Sequence, residues 1–361
     1  LAGIANFAYQ LLTASSLDPG AFSLLASILA IVAIVGATTG GLQVVTARAF
    51  STRINWSQDE PILDKTTVQG LAMAAFAVAV LLLFSRPISS SLGISVPLFL
   101  LLLLFIPISV LTSLLLGKVQ GSGHLVILGW ILFALAVGKL ASAYGILQFG
   151  GGAVSLIAAL IAISLLVLAF ASVAAPPHGS STANLFSLQT LALVVAQFSF
   201  WGIATSDVIV ARIGLDEIAA GEFSAAATMA KLVLFLPGIL TTAILPAAGA
   251  LLSQGKDRTR FALLSSLLTG FLAIASAGLV WLVAPWVIAN LLGSAYDNSV
   301  DFVGALALAY VPLSVAGASL QFHFTSHRRR YALFAGASFS VMLLAIALGP
   351  ADPWYYIGVV G

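Results

Sequence analysis

The chain has 361 residues, 61% of them hydrophobic and 7% charged, with a formal net charge of +2 and a mean hydropathy of +1.13. A water-soluble fold is excluded, because such a sequence lacks the polar side chains to cover its own surface. It has no cysteine, which also excludes disulfides, thiol catalysis and thiolate metal sites.

One helical crossing of the hydrocarbon takes roughly 20 apolar residues. Apolar stretches run over 1–13, 21–46, 68–85, 96–117, 124–145, 151–174, 186–211, 223–252, 262–283, 302–322, 331–349 and 353–361. They are continuous rather than alternating with period two, which predicts helices and excludes a β-barrel. The first and last are too short to cross. The expected fold is an all-α polytopic membrane protein of about twelve transmembrane helices with the terminal helices truncated, in a fragment or trimmed chain. No basic segment precedes the first stretch as in a signal peptide.

Orientation is read from the loops. Arg48, Arg53, Lys65, Lys118, Lys256, Arg258, Arg260 and Arg328–Arg330 lie in one alternate set, ten of the fourteen Lys and Arg. The other set carries only Arg86 and Arg212, with seven of the twelve acids. Basic loops stay in the cytoplasm, so both ends of the full protein are expected there. The same bias explains the positive charge, and no nucleic-acid partner is implied.

In the second stretch Gly36-Ala37-Thr38-Thr39-Gly40 has the spacing with which membrane helices pack closely. Arg48 closes that stretch, as an interfacial anchor or as a contact to a lipid diphosphate. Asp59-Glu60 and Asp64 read as solvated loop. Lys139 stands inside the fifth stretch. Pro176-Pro177 and the following Ser/Thr/Asn run break the chain in the middle, giving lobes of six helices each over 1–175 and 176–361. Leu17-Asp18 and Leu215-Asp216 both precede a long helix rich in small residues, as a parallel internal repeat would leave. Gln197 and Trp201 add polar and amphipathic side chains to the seventh stretch, before Asp207 and Arg212. Lys231, Pro237 and Pro246 follow in the eighth, where each proline removes a backbone donor and bends the helix.

Only Lys139, Asp207 and Lys231 are charges within apolar stretches. An ionised side chain at a helix centre costs roughly 2.5–3.5 kcal/mol on insertion scales. Asp207 and Lys231 fall at similar depth on consecutive antiparallel helices, within reach of pairing. Two readings stand. One is a buried ion pair locking two helices, with Lys139 snorkelling to the surface. The other is a polar patch in the outer half of a cavity, where Lys231 and Arg212 attract an anionic substrate and Asp207 neutralises the empty site or carries a coupling proton. No catalytic carboxylate pair, Ser/His/Asp constellation or nucleotide loop is present, and the four histidines lie away from acids. No enzyme activity, cofactor or metal is therefore expected.

Ser206-Asp207-Val208-Ile209-Val210-Ala211-Arg212, then Ala220-Gly221-Glu222-Phe223-Ser224-Ala225-Ala226, Leu236-Pro237 and Leu245-Pro246 together resemble the polysaccharide-unit flippases of bacteria, the O-antigen type. These belong to the superfamily of multidrug, oligosaccharidyl-lipid and polysaccharide exporters. Gly20-Ala21-Phe22-Ser23, Thr46-Ala47-Arg48 and Leu292-Gly293-Ser294-Ala295-Tyr296 extend the resemblance over nearly the whole chain. It implies two six-helix lobes around a cavity lined by helices one, two, seven and eight. It implies a transporter of the bacterial inner membrane that moves polyprenyl-diphosphate-linked sugar units to the outer leaflet by alternating access. Under it, Arg48, Lys139, Gln197, Trp201, Arg212 and Lys231 are candidate substrate contacts and Asp207 the ion-coupling residue. The lipid bilayer, the lipid-linked sugar, a polysaccharide polymerase and glycosyltransferases are the implied partners. A lipid II flippase, a cation-coupled drug antiporter and a non-transporting scaffold for glycan assembly are the competing readings.

Overall fold

The computed structural model describes residues 2–51, 64–176, 184–235, 237, 258–324 and 330–360. Each of the twelve apolar stretches is represented by helix, and no strand occurs among the described residues. Helix suits the setting, since hydrocarbon offers no partner to a backbone group and a helix satisfies its own. Among the described residues, nine helical spans are long and apolar enough to cross a membrane. Bulky apolar side chains such as Phe76, Trp130, Phe170 and Trp281 are exposed, as a lipid-facing surface requires.

The helices are α1 (Ala2–Ser16), α2 (Pro19–Ser51), α3 (Lys65–Leu83), α4 (Ser85–Leu92), α5 (Val96–Leu103), α6 (Phe105–Gly121), α7 (Leu125–Gln148) and α8 (Ala153–Ala174). They continue as α9 (Leu188–Gly214), α10 (Glu217–Ala230), α11 (Arg258–Val287), α12 (Ser299–Phe324), α13 (Arg330–Leu348) and α14 (Pro353–Val360). Two details escape the hydropathy pattern. The loop holding Arg86 is itself the short helix α4, closed by Gly93 at φ 67°, a left-handed position that glycine adopts without strain. The fourth stretch is broken at Leu104 into α5 and α6, because Pro107 cannot donate to the carbonyl of Leu103.

The chain gathers into two compact units, residues 1–13 with 28–201, and 14–27 with 202–361. In the first, α6 is the organising helix, packed on α3, α7 and α8 through buried Ile106, Val110, Leu114 and Val119. Close approach to α2 is made by Gly117 and Gly121. A Cβ on Gly117 would lie 2.8 Å from the Gln43 carbonyl oxygen, and one on Gly121 would lie 3.1 Å from the Ala47 Cα. The small-residue spacing that brings helices together is thus Gly117–Gly121, and not Gly36–Gly40, where a Cβ would meet nothing within 4 Å among the described residues. Polar groups on the same interface satisfy one another: Thr39 Oγ1 lies 2.8 Å from Ser109 Oγ, and Gln43 donates to Gln120 at 2.9 Å.

Asp64 is not solvated loop. It is 1% exposed, caps α3 by accepting from the Thr67 amide at 2.8 Å, and pairs with Lys118 at 3.0 Å. Asp59 and Glu60 lie outside the described residues, as do Pro246 and Arg328–Arg329.

In the second unit α10 is the buried element, and seven of its ten buried residues are Ala, Gly or Ser. These small side chains let α12 close on it. The acidic turns of the internal echo have one job in common. Asp18 accepts from the Ala21 amide at 3.2 Å, and Asp216 accepts from Ile218 and Ala219 at 3.1 and 3.0 Å, so each caps the helix it precedes. Pro237 acts as its chemistry dictates. The Val233 carbonyl it leaves without a donor accepts from the Ser314 hydroxyl of α12 at 2.8 Å.

Substitution separates the two glycine pairs. Gly121→Val should destabilise the protein by about 1–3 kcal/mol through overpacking, whereas Gly36→Ala should leave its detergent-solubilised melting temperature unchanged. Thermal unfolding of the two variants checks this.

Candidate functional site

Asp207 sits on α9 with no solvent exposure. Lys231, at the residue that closes α10, reaches it with Nζ 3.0 Å from Oδ1. The second carboxylate oxygen accepts from the hydroxyl of Tyr310, a fully buried residue of α12. Lys231 Nζ also lies 6.0 Å from the centroid of the Tyr310 ring. One carboxylate therefore ties three helices of the second unit, with an ammonium on one oxygen and a phenol on the other. Charge-assisted bonds of this kind are about twice as strong as neutral ones. Loss of one partner would leave a buried charge uncompensated.

Sequence reasoning brings Asp207 and Lys231 together but misses Tyr310. The residue stands in Leu308-Ala309-Tyr310-Val311-Pro312, deep inside an apolar stretch. Tyrosine in membrane helices concentrates near the interfaces, so that depth was the available signal.

Arg212, near the end of α9, is also engaged. Its guanidinium donates to Ser23 Oγ at 2.9 Å and lies 3.3 Å from Glu217 Oε1, with its side chain 9% exposed. Around it, the Tyr296 hydroxyl donates to the Leu17 carbonyl at 3.2 Å, and Gly221 lies so close to Pro19 that a Cβ there would strike it. In this arrangement Arg212 fastens the turn that contains Gly20 and Ser23.

The remaining candidates belong to the first unit. Arg48 is exposed in the last turn of α2. Gln197 is half-buried on α9 beside Gly41 of α2. Trp201 is half-buried with its ring edge-to-face on Phe200, centroids 5.9 Å apart. Lys139 is half-buried on α7, its Nζ 5.9 Å from the centroid of the Tyr9 ring of α1. No grouping of three or more histidines or acids suited to a metal ion occurs among the described residues.

No family model and no curated protein matches the chain. Solved structures do. The chain is similar to an inward-facing multidrug resistance MATE family transporter of the MOP superfamily, at TM-score 0.71 and 15% identity, covering 100% of this chain and 91% of that one. It is similar to the lipid II flippase MurJ in an inward closed conformation, at TM-score 0.71 and 12% identity, over 99% of this chain and 83% of the other. A MATE structure in complex with MaL6 aligns at TM-score 0.62 and 15% identity, over 99% and 88%. The fold is of the MATE and MurJ type. At such identities the likeness concerns the fold, an all-α polytopic membrane architecture.

The triad has a measurable energetic signature. Asp207→Asn should cost about 3–5 kcal/mol, the penalty for leaving one member of a buried pair. Tyr310→Phe should cost about 1.5–3 kcal/mol, the size of a hydrogen bond to a charged group. Asp207→Asn combined with Lys231→Met should be at least about 1 kcal/mol more stable than the sum of the single changes. Unfolding of the wild type, the three single variants and the double variant in matched micelles checks these values.

Proposed function

We propose that this protein is a membrane transporter that moves polyprenyl-diphosphate-linked oligosaccharide from the inner to the outer leaflet of the bacterial plasma membrane by alternating access, for cell-surface polysaccharide assembly. The observation that carries the reading is a fold shared over essentially the whole chain with a flippase and with multidrug transporters, combined with charges kept inside membrane helices. Such charges are rare and usually mark a substrate or ion path. The flippase motifs around Asp207 and Gly221 favour a lipid-linked sugar as cargo, and MurJ, described as a lipid II flippase, handles a lipid substrate on the same fold.

In this reading residues 1–175 and 176–361 are the two six-helix lobes, and both ends of the full protein face the cytoplasm. Lys139 draws the anionic head group, with Arg48, Gln197, Trp201 and Arg212 as further contacts, and Lys231 becomes available to it only when Asp207 is neutralised. Asp207 is the ion-coupling group. When an ion or a proton neutralises it, the bonds from Lys231 and Tyr310 weaken together, which links ion occupancy to the packing of three helices. The protein acts without enzymatic chemistry, alongside a polysaccharide polymerase and glycosyltransferases. Multidrug export is the second reading, favoured by the equal TM-score of the MATE neighbour.

Reconstitution into proteoliposomes with a fluorescent polyprenyl-diphosphate oligosaccharide tests the proposal. The protein should transfer the lipid between leaflets, and Asp207→Asn should slow transfer at least about tenfold while remaining folded. Ion-driven efflux of organic cations without lipid transfer would instead select the multidrug reading.

A further inference from the structure

A lysine meets a tyrosine ring in each unit at nearly the same distance. In the second unit Lys231 Nζ lies 6.0 Å from the Tyr310 centroid. There the Asp207 carboxylate completes the set, taking Lys231 on Oδ1 and Tyr310 on Oδ2. In the first unit Lys139 Nζ lies 5.9 Å from the Tyr9 centroid, and no acceptor completes the set among the described residues. Among the described residues Lys139 makes no ion pair. The Tyr9 hydroxyl has no hydrogen-bond partner, although the residue is only 3% exposed.

Neither condition is ordinary. Buried polar side-chain atoms nearly always have a partner, and an ammonium within a membrane helix normally has a counter-charge or a wet path. Lys139 offers only donors, and the unpartnered Tyr9 hydroxyl is a donor in search of an acceptor. A cation is repelled by the ammonium and a sugar hydroxyl accepts a bond but leaves the charge uncompensated, whereas an anion with two oxygens satisfies both groups at once. The Asp207 carboxylate shows that geometry within the same chain.

We propose that Lys139 and Tyr9 form an oxyanion subsite within the first unit, which accepts phosphate oxygens of a lipid-linked diphosphate in the way that Lys231 and Tyr310 hold Asp207. This rests on the reading of the protein as a carrier of lipid diphosphates, and adds where the phosphate is held. The lysine of the second unit is already neutralised by its own carboxylate. The lysine of the first is the one available to compensate a ligand's charge.

The test is equilibrium binding to the full chain in nanodiscs, with a radiolabelled polyprenyl diphosphate and, separately, inorganic diphosphate. The variants are Tyr9→Phe, Lys139→Met and Lys139→Arg. Because the Tyr9 hydroxyl has no hydrogen-bond partner among the described residues, Tyr9→Phe should leave the melting temperature unchanged, so a loss of binding reports the ligand contact and not the fold. Tyr9→Phe should raise the Kd for the lipid about tenfold, the size of one hydrogen bond to a charged group. Lys139→Met should raise it more, and Lys139→Arg should restore part of the loss. Inorganic diphosphate bound with the same dependence on both residues, but more weakly, also supports the subsite and assigns the remaining affinity to the lipid tail. Inorganic diphosphate bound as tightly as the lipid overturns the assignment to a lipid carrier. Wild-type Kd values in both Tyr9→Phe and Lys139→Met, with leaflet transfer intact, overturn the subsite alone. A folded wild type that binds no polyprenyl diphosphate overturns the subsite and the transport reading together.

Discussion

A carboxylate with no solvent exposure, inside a helix that crosses hydrocarbon, must be compensated by the protein itself. Asp207 meets that constraint with an ammonium on one oxygen and a phenol on the other, and three helices are thereby committed to one another. Much of the local chemistry of the second unit serves this arrangement. The small side chains of α10 let it approach α12, which brings Tyr310 to the carboxylate. Ser314, one turn beyond Tyr310 on α12, satisfies the carbonyl that Pro237 leaves open, so the helix carrying Lys231 can be interrupted without an orphaned backbone group. A structure held by a charge is also one that a change of charge can loosen.

The first unit obeys the same rule with different means. Several of its polar side chains pair with one another, Thr39 with Ser109 and Ser113, Gln43 with Gln120, and Asp64 with Lys118, while the Thr46 and Thr112 hydroxyls, like that of Tyr9, have no partner among the described residues. Against that background Lys139 and Tyr9 stand out, since each lacks the acceptor that its counterpart in the second unit has. Among the described residues, a closed lysine–tyrosine–carboxylate set in one unit stands against an open lysine–tyrosine pair in the other.

The architecture was legible because a membrane simplifies the code. Length and continuity of apolar stretches placed helix in each of the twelve stretches, and the rarity of charges within them pointed to Asp207, Lys231 and Lys139. What escaped has physical reasons. Tyr9 and Tyr310 are amphipathic residues in an aromatic-rich chain, and only their depth and contacts distinguish them from interfacial anchors. Gly36–Gly40 and Gly117–Gly121 have the same spacing, and sequence alone does not say which face of a helix meets a neighbour. Asp64 looked like solvated loop because a helix cap and a distant lysine, fifty-four positions away by number, both had to be known to bury it. Arg212 carried the charge of a substrate ligand, while its bonds to Ser23 and Glu217 depend on the folded turn.

The most direct test is an experimental structure of the protein in a lipid nanodisc with a polyprenyl diphosphate bound. The account predicts phosphate density in contact with the Lys139 ammonium and the Tyr9 hydroxyl, with Asp207 still held by Lys231 and Tyr310. Phosphate seated instead on Lys231, with Asp207 displaced and the Tyr9 hydroxyl still without a partner, would contradict it.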